Sequence, residues 1–377
     1  MPQESGISSP NSNPEPRRFP CARCGAALQY APGTDALRCA HCGYENRIGA
    51  VPEPIEEQDF RQTLRTLAAT ATTRESIVIH CDSCGASYSF DPTAHAGQCS
   101  FCGAPAVANT ERHRELQIQA LLPFQVTRDQ SRAAFRQWLG QLWFAPGKLK
   151  DHARHDSSLA GLYVPYWTYD AETTTHYRGE RGDDYQVRET YRAIENGREV
   201  QRVRVVTKTR WSPTAGVVSR FFDDVLVLAS RSLPQAVTER LEPWDLAQLT
   251  PYREEYLSGF RSEMYQVELD QGFERAREIM APLIRRDIER DIGGDRQRIH
   301  AAETRYADIR FKHILLPVWI SAFRFRDRVY RFLVNGRTGE VQGERPYSAW
   351  KIAFAVLLAA VLAGGGLAVW QVLQRGG

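Results

Sequence analysis

Apolar positions along the chain change their period several times, and each change predicts a different kind of element. Phe60, Leu64, Leu67 and Ala68 recur at helical spacing, which predicts a short helix. Thr127-x-x-Gln130 has the form of a capping box, and Phe135, Trp138, Leu139 and Leu142 line one face of the helix that it opens. The period then shifts to that of strands. Leu162 to Asp170 reads as one strand, and Tyr185 to Trp211 as a hairpin turning at Asn196-Gly197, with Val203, Val205, Thr207 and Thr209 alternating. Val225 to Leu228 reads as a short buried strand. Phe273, Ala276, Met280, Leu283, Ile284 and Ile288 restore the helical period as far as Gly293-Gly294, with Pro282 an expected kink. Strands return from Ile309 to Phe325 and from Val329 to Val341, with turns at Asp327 and Asn335-Gly336. A mixed, β-rich α+β domain is expected over 116–346.

Two of these strands echo each other. Leu162-Tyr163-Val164-Pro165-Tyr166-Trp167 matches Ile314-Leu315-Leu316-Pro317-Val318-Trp319 in pattern. Each is an apolar strand interrupted by proline, which implies an edge or a bulge. They are either equivalent positions of a duplicated β unit or two similar core strands.

Near the end the pattern becomes almost wholly apolar. Ile352 to Trp370 carries no charge, with Trp350 and Trp370 at its ends and Lys351 and Arg375 flanking it. Nineteen helical residues extend about 28 Å, close to the ~30 Å of a bilayer core. A single C-terminal transmembrane helix is therefore expected over 350–373, the rival being a buried core helix. With no secretory signal in the Ser-, Pro- and Asn-rich stretch 1–20, which is expected to be disordered, the bulk of the chain is placed on the cytoplasmic side of the membrane.

The eight cysteines lie where apolar content is low. They read Cys21-x-x-Cys24, Cys39-x-x-Cys42, Cys81-x-x-Cys84 and Cys99-x-x-Cys102, with fourteen residues inside each half and a repeat of sixty. Each pair is followed by glycine (Gly25, Gly43, Gly85, Gly103), which can take positive φ and turn backbone N–H groups toward the sulfurs. This is the layout of two zinc ribbons, over 21–48 and 76–108, joined by a linker with a short helix over 49–75. Two Zn2+ ions are expected, one per ribbon. Four thiolates close a tetrahedral shell, so the sites are structural and leave no position for substrate or an activated water. Rubredoxin-like iron uses the same knuckles, whereas a thioredoxin-type pair needs a βαβ context that is absent here. His41, His80 and His95 lie near the ligands as spectators.

The net charge of +3 is too slight to imply a polyanionic partner. Around the first ribbon Arg17, Arg18, Arg23, Arg38 and Arg47 outnumber the acids, but from Ser76 to Thr110 there is no Lys or Arg at all. Phosphate binding needs cations, so the second ribbon is a poor nucleic-acid binder and the first remains a candidate. No phosphate loop, H-E-x-x-H or G-x-S-x-G motif occurs. Asp151, His152, His155 and Asp156 form a small candidate metal cluster, better read as solvated loop residues, and Asp183-Asp184 and Asp223-Asp224 as turn or surface acids.

The paired ribbons, Leu122-Pro123-Phe124, Trp143-Phe144-Ala145-Pro146, the two proline strands and Asn335-Gly336-Arg337-Thr338-Gly339-Glu340-Val341 together resemble a bacterial family of membrane-anchored double zinc-ribbon proteins. Its members are often labelled as resembling primosomal protein N′, a superfamily 2 helicase, yet this chain lacks helicase motifs. The resemblance also implies association with SPFH or phage-shock-type membrane proteins. The reading as a whole is a non-enzymatic, tail-anchored adaptor at a bacterial cytoplasmic membrane that binds protein partners. The alternative is a membrane-tethered nucleic-acid-binding protein.

Overall fold

A computed structural model describes residues 19–49, 54–69, 74–81, 86–89, 96–99, 101, 104–113, 116–141, 159–195, 198–325, 328–344, and 353, 357, 359–362 and 364–365. The N-terminal hairpin β1 (Leu28–Tyr30), β2 (Ala36–Cys39) and β3 (Glu45–Arg47) forms a small antiparallel sheet of its own. β4 (Gln58–Asp59) and helix α1 (Phe60–Ala69) follow. A second small sheet holds β5 (Arg74–His80), β6 (Ser87–Ser89), β7 (Ala96–Gln98) and β8 (Pro105–His113). The body contains β9 (Ala120–Leu121), α2 (Arg128–Gln141), β10 (Ala160–Glu195), β11 (Arg198–Leu228), β12 (Thr250–Pro251), β13 (Arg261–Ser262), α3 (Leu269–Ile292), β14 (Arg296–Phe325), β15 (Arg328–Asn335) and β16 (Val341–Gly343).

The expected mixed, β-rich α+β class is corrected to a mostly β protein. The reason is strand length. What reads as separate short strands fuses into β10, β11 and β14, of 36, 31 and 30 residues, in one sheet of order β11-β10-β14-β15-β16. At ~3.3 Å per residue β10 is about 120 Å long. Acids that look like turn formers are irregularities inside continuous strands: the β10 register slips beside Asp170 against both neighbours, and Asp224 and Asp308 adopt positive φ of 50° and 46°. Beyond Gly182 only β10 and β11 remain paired, as a two-stranded ribbon closing at Glu195↔Arg198.

The expected C-terminal transmembrane helix is also not supported. Among the described residues no helix is long and apolar enough to cross a membrane. Residues 353, 357, 359–362 and 364–365 are helical, and the other residues of the run lie outside the description.

Around the centre of the sheet the chain repeats itself. The two proline strands pair antiparallel about Val164↔Leu316, so one echo is carried onto the other by a local two-fold axis. The same relation extends outward. β9 runs parallel to β14 at Ala120↔Ile314, and β13 parallel to β10 at Arg261↔Leu162. Leu122 N–H donates to the Leu315 carbonyl at 3.0 Å, and Glu263 N–H to that of Tyr163 at 2.9 Å. Gln125 and Val126 both donate to the Gly336 carbonyl, as Gln266 and Val267 both donate to that of Ala229. The Trp319 indole donates to Val126 O at 2.9 Å and that of Trp167 to Val267 O at 2.9 Å. Each half thus runs Phe/Tyr-Gln-Val, helix, proline strand, hairpin. Each tryptophan bonds to the other half, so neither half completes its core alone.

The helices begin and end as their residues dictate. Thr127 and Gln130 exchange the reciprocal bonds of a capping box, Thr127 N–H to Gln130 Oε1 at 2.8 Å and Gln130 N–H to Thr127 Oγ1 at 3.3 Å. The helix buries Phe135 and Leu139 against Phe332. Leu142 lies outside the described residues. α3 stops at Gly293, whose φ of 65° is open to glycine, after burying Phe273, Ala276, Met280, Ile284 and Ile288 on the sheet. Phe60 of α1 is buried against Phe273 and Tyr169, and β4 pairs with β14.

Candidate metal centre

Each knuckle of the first ribbon is a tight turn held by its own backbone. Cys21 N–H donates to Ala26 O at 2.8 Å and Gly25 N–H to Cys21 O at 2.9 Å; Cys39 and Gly43 repeat this with Tyr44 O at 2.9 Å and Cys39 O at 3.0 Å. Gly25 and Gly43 sit at φ of 75° and 70°, and no atom would meet a Cβ at either. It is conformation, not room, that calls for glycine there.

The turns bring all four sulfurs together. The Sγ atoms of Cys21, Cys24, Cys39 and Cys42 lie within 4.8 Å of one another, with Cys21–Cys42 at 3.6 Å and Cys24–Cys39 at 3.5 Å. A tetrahedron of Zn–S bonds of ~2.3 Å has edges of about 3.8 Å. The set fits a zinc ion. The Arg23 N–H points at Cys21 Sγ from 3.4 Å. The Cys42 N–H, opposed by burial and joined by the His41 N–H, lowers the Cys39 thiol to about 6. The Ala26 N–H also favours the Cys24 thiolate, but the Cys42 sulfur, loss of hydration and the sulfurs of Cys39 and Cys21 together outweigh it and push that thiol up to about 12. Four sulfurs so close cannot all ionise without a cation among them. Cys21 and Cys39 are buried, whereas Cys24 is exposed.

The ribbon is fastened to the body. Tyr30 N–H donates to Ser258 O at 2.9 Å, Gly33 N–H to Phe124 O at 2.9 Å, and Ser258 Oγ–H to Leu28 O at 2.7 Å. The Tyr30 ring lies edge-on to Tyr256 at 5.1 Å, and its hydroxyl reaches Phe124 O at 3.2 Å. This attachment has no metal-like signature in sequence; the strand aromatic Tyr30 is the one hint.

Of the second ribbon's expected ligands, Cys84 and Cys102 lie outside the described residues. Cys81 and Cys99 are buried, and their backbones make the bonds that correspond to those of Cys21 and Cys39: Cys81 N–H to Ala86 O at 2.9 Å and Cys99 N–H to Ala104 O at 2.8 Å. The Phe101 N–H points at Cys99 Sγ from 3.4 Å, as Arg23 does at Cys21. Phe101 is wholly buried in one apolar cluster with Leu233 and Val237, and its carbonyl accepts from Arg331 Nε at 2.9 Å.

Sequence reading missed one charged cluster. Carboxylate oxygens of Asp170, Asp223 and Asp224 come within 4.8 Å of one another, across the bend in β10 and β11. A cation is already present: the buried Lys312 Nζ lies 2.6 Å from Asp224 Oδ1 and 3.0 Å from Glu57 Oε1. Burial, with the Glu57 carboxylate adding to it, raises Asp170 to about 7. The cluster reads as an internal ion network. Asp184 is likewise spent on Arg296 and Thr209, and residues 151–156 lie outside the description. His41 is exposed and His80 Nδ1 contacts Ser87 Oγ, so neither joins the sulfurs, while His95 lies outside the described residues.

No family model matches the chain, and no solved structure matches it. Among known proteins it is similar to the uncharacterized protein YdjG of Bacillus subtilis (strain 168), with 24% identity over 360 residues, 92% of this chain and 98% of that protein. The likeness thus runs over most of the length of both chains.

Proposed function

We propose that this chain is a non-enzymatic adaptor that holds two structural zinc ions, one per ribbon, and presents protein-binding surfaces from its β-sheet body. The observation carrying this reading is the closed first site. Four sulfurs at tetrahedral spacing leave no coordination position for chemistry, and the ribbon they fold is bonded into the sheet. The repeated knuckle bonds at Cys81 and Cys99 support a second ion held by Cys81, Cys84, Cys99 and Cys102. Thiolate-bound metal suits a reducing compartment. The resemblance drawn from the motifs makes SPFH and phage-shock-type proteins the first partners to test.

Elemental analysis of purified, reduced protein is expected to give two zinc ions per chain, with Cys39→Ser and Cys99→Ser each removing one and leaving the other. One ion or fewer in the wild type, or iron in its place, overturns the metal assignment. A pull-down with the full chain from native cells is expected to recover a specific protein. Recovery of none above background defeats the adaptor reading.

A second reading, nucleic-acid binding, is favoured by the two-stranded ribbon rather than by the first zinc site, where Arg38 is paired with Glu45 at 2.5 Å. One face of that ribbon carries Arg202, Arg204, Lys208 and Arg210, with Arg204 over Tyr191 and Arg210 over Tyr185; Glu189 on the same face pairs with Arg204 at 3.2 Å and Lys208 at 2.8 Å, leaving an excess of cations there. Affinity for duplex DNA that falls steeply with salt would favour it; salt-insensitive or absent binding removes it.

A further inference from the structure

The open edge of the sheet runs through a groove of about 540 Å³ between β11, the segment 235–246 and helix α3. Among the described residues β11 is the edge strand, and no other strand pairs with its outer side. Ala229 N–H donates to Pro165 O, which fixes the alternation: Val227 and Val225 exchange bonds with β10, and Leu226 and Leu228 turn their N–H and C=O groups outward. Arg275 confirms the direction by donating to Leu228 O from the groove side at 3.4 Å. An outward-facing strand edge is a template for one more strand.

The walls say what kind of strand. Leu226 and Leu228 supply an apolar floor with Tyr166 and Trp244, and Ile279 on α3 is 46% exposed beside it. The buried Trp244 Nε1 has no partner among the described residues. Around this floor stand Glu239, Glu242 and Glu278, together with Asp224, which is already paired with Lys312 at 2.6 Å, against the single guanidinium of Arg275 among the lining residues. Burial raises the carboxyl of Glu242, and the neighbouring Glu239 carboxylate adds to it. A strand that pairs here needs apolar side chains toward the floor and basic ones toward the rim.

We propose that this groove docks an extended segment of a partner protein, alternating apolar and basic residues, which adds to β11 as a further strand. The proposal rests on the adaptor reading and gives it a site and a ligand chemistry. A second copy of the chain fits less well: its own β11 would bring Asp223 and Asp224 toward the acidic rim, and Pro213 lacks an N–H to offer.

The test uses the full zinc-loaded chain and fluorescence anisotropy with three labelled octapeptides: alternating Val-Lys, alternating Val-Glu, and Val-Lys with every second amide N-methylated. The first is expected to bind at least tenfold more tightly than either of the others. Leu226→Pro removes an outward N–H while leaving the β10 bonds of Val225 and Val227, and is expected to weaken binding at least tenfold. Should that variant fail to fold, Glu242→Lys carries the same test, because charge reversal on the exposed rim is expected to abolish the preference for lysine. Equal binding of the three peptides, or binding indifferent to these variants, overturns the proposal. Dimerisation abolished by the same variants, without peptide binding, overturns it in favour of a second copy. If peptides do not bind but the pull-down still recovers its partner, this groove is wrong and the adaptor reading stands.

Discussion

The two halves of the body share one set of central bonds and differ in nearly everything around it. Trp167 and Trp319, Pro165 and Pro317, Val126 and Val267 occupy matching places about the local axis. Outside them the halves diverge. α2 has 14 residues and a side-chain cap, whereas α3 has 24 and begins at Glu268 with none. The hairpin of the first half extends into the long β10–β11 ribbon, while that of the second ends in β15, of 8 residues. Where Leu122 supplies an apolar side chain, its counterpart Glu263 buries a carboxyl bonded to Ser230 Oγ at 2.7 Å. Interlocked bonds that complete both cores at once tolerate little change, and the surfaces beyond them are free to specialise. The peptide groove and the cationic ribbon face both belong to the longer hairpin.

Breaking the shared centre has the largest expected effect. Trp167→Ala and Trp319→Ala each open a large cavity and strip a carbonyl of its donor, at a cost of about 3–5 kcal/mol in chemical denaturation. Similar losses in the two variants are expected; a cost confined to one would mean that the axis relates shapes and not energetics.

Next comes the charge that only one half carries. Asp170 sits near pH 7 in the fold, above an unfolded value of about 3.9. The folded chain holds that proton longer, so this group lowers stability as pH rises from about 4 to 7, and the loss is complete above 7. Asp170→Asn stays neutral. Relative to wild type it is expected to gain stability across that window, on the order of 2 kcal/mol after screening. Parallel denaturation profiles at pH 4.5 and 8 would rule this out.

The smallest effect sharpens the helix comparison. Thr127→Ala is expected to cost about 1 kcal/mol by deleting the cap of α2, while Glu268→Ser gives α3 a cap and a gain of at most ~1 kcal/mol. Thermal unfolding reads both, and equal, opposite-signed shifts are not required; a loss at Glu268→Ser is the contrary result.

Local chemistry determined much of this protein directly from its sequence. Gly25 and Gly43 fixed the knuckles of the first ribbon, Thr127 and Gln130 fixed the start of α2, and Gly293 fixed the end of α3, because each acts within a few residues of itself. The antiparallel pairing on either side of Asn196-Gly197 was equally legible, Glu195 being paired with Arg198, while the two residues themselves lie outside the description. Fusion of short strands into three very long ones was not, because an Asp reads the same at a turn and at a bulge. Only a neighbouring strand decides between them. The Phe-Gln-Val and Tyr-Gln-Val segments lie too far from the proline strands for local pattern to join them, and it is the crossed Trp–Val bonds that reveal the repeat. Which strand edge stays open, and which carboxylates gather along it, depends on packing between distant segments, and tertiary structure alone decides that.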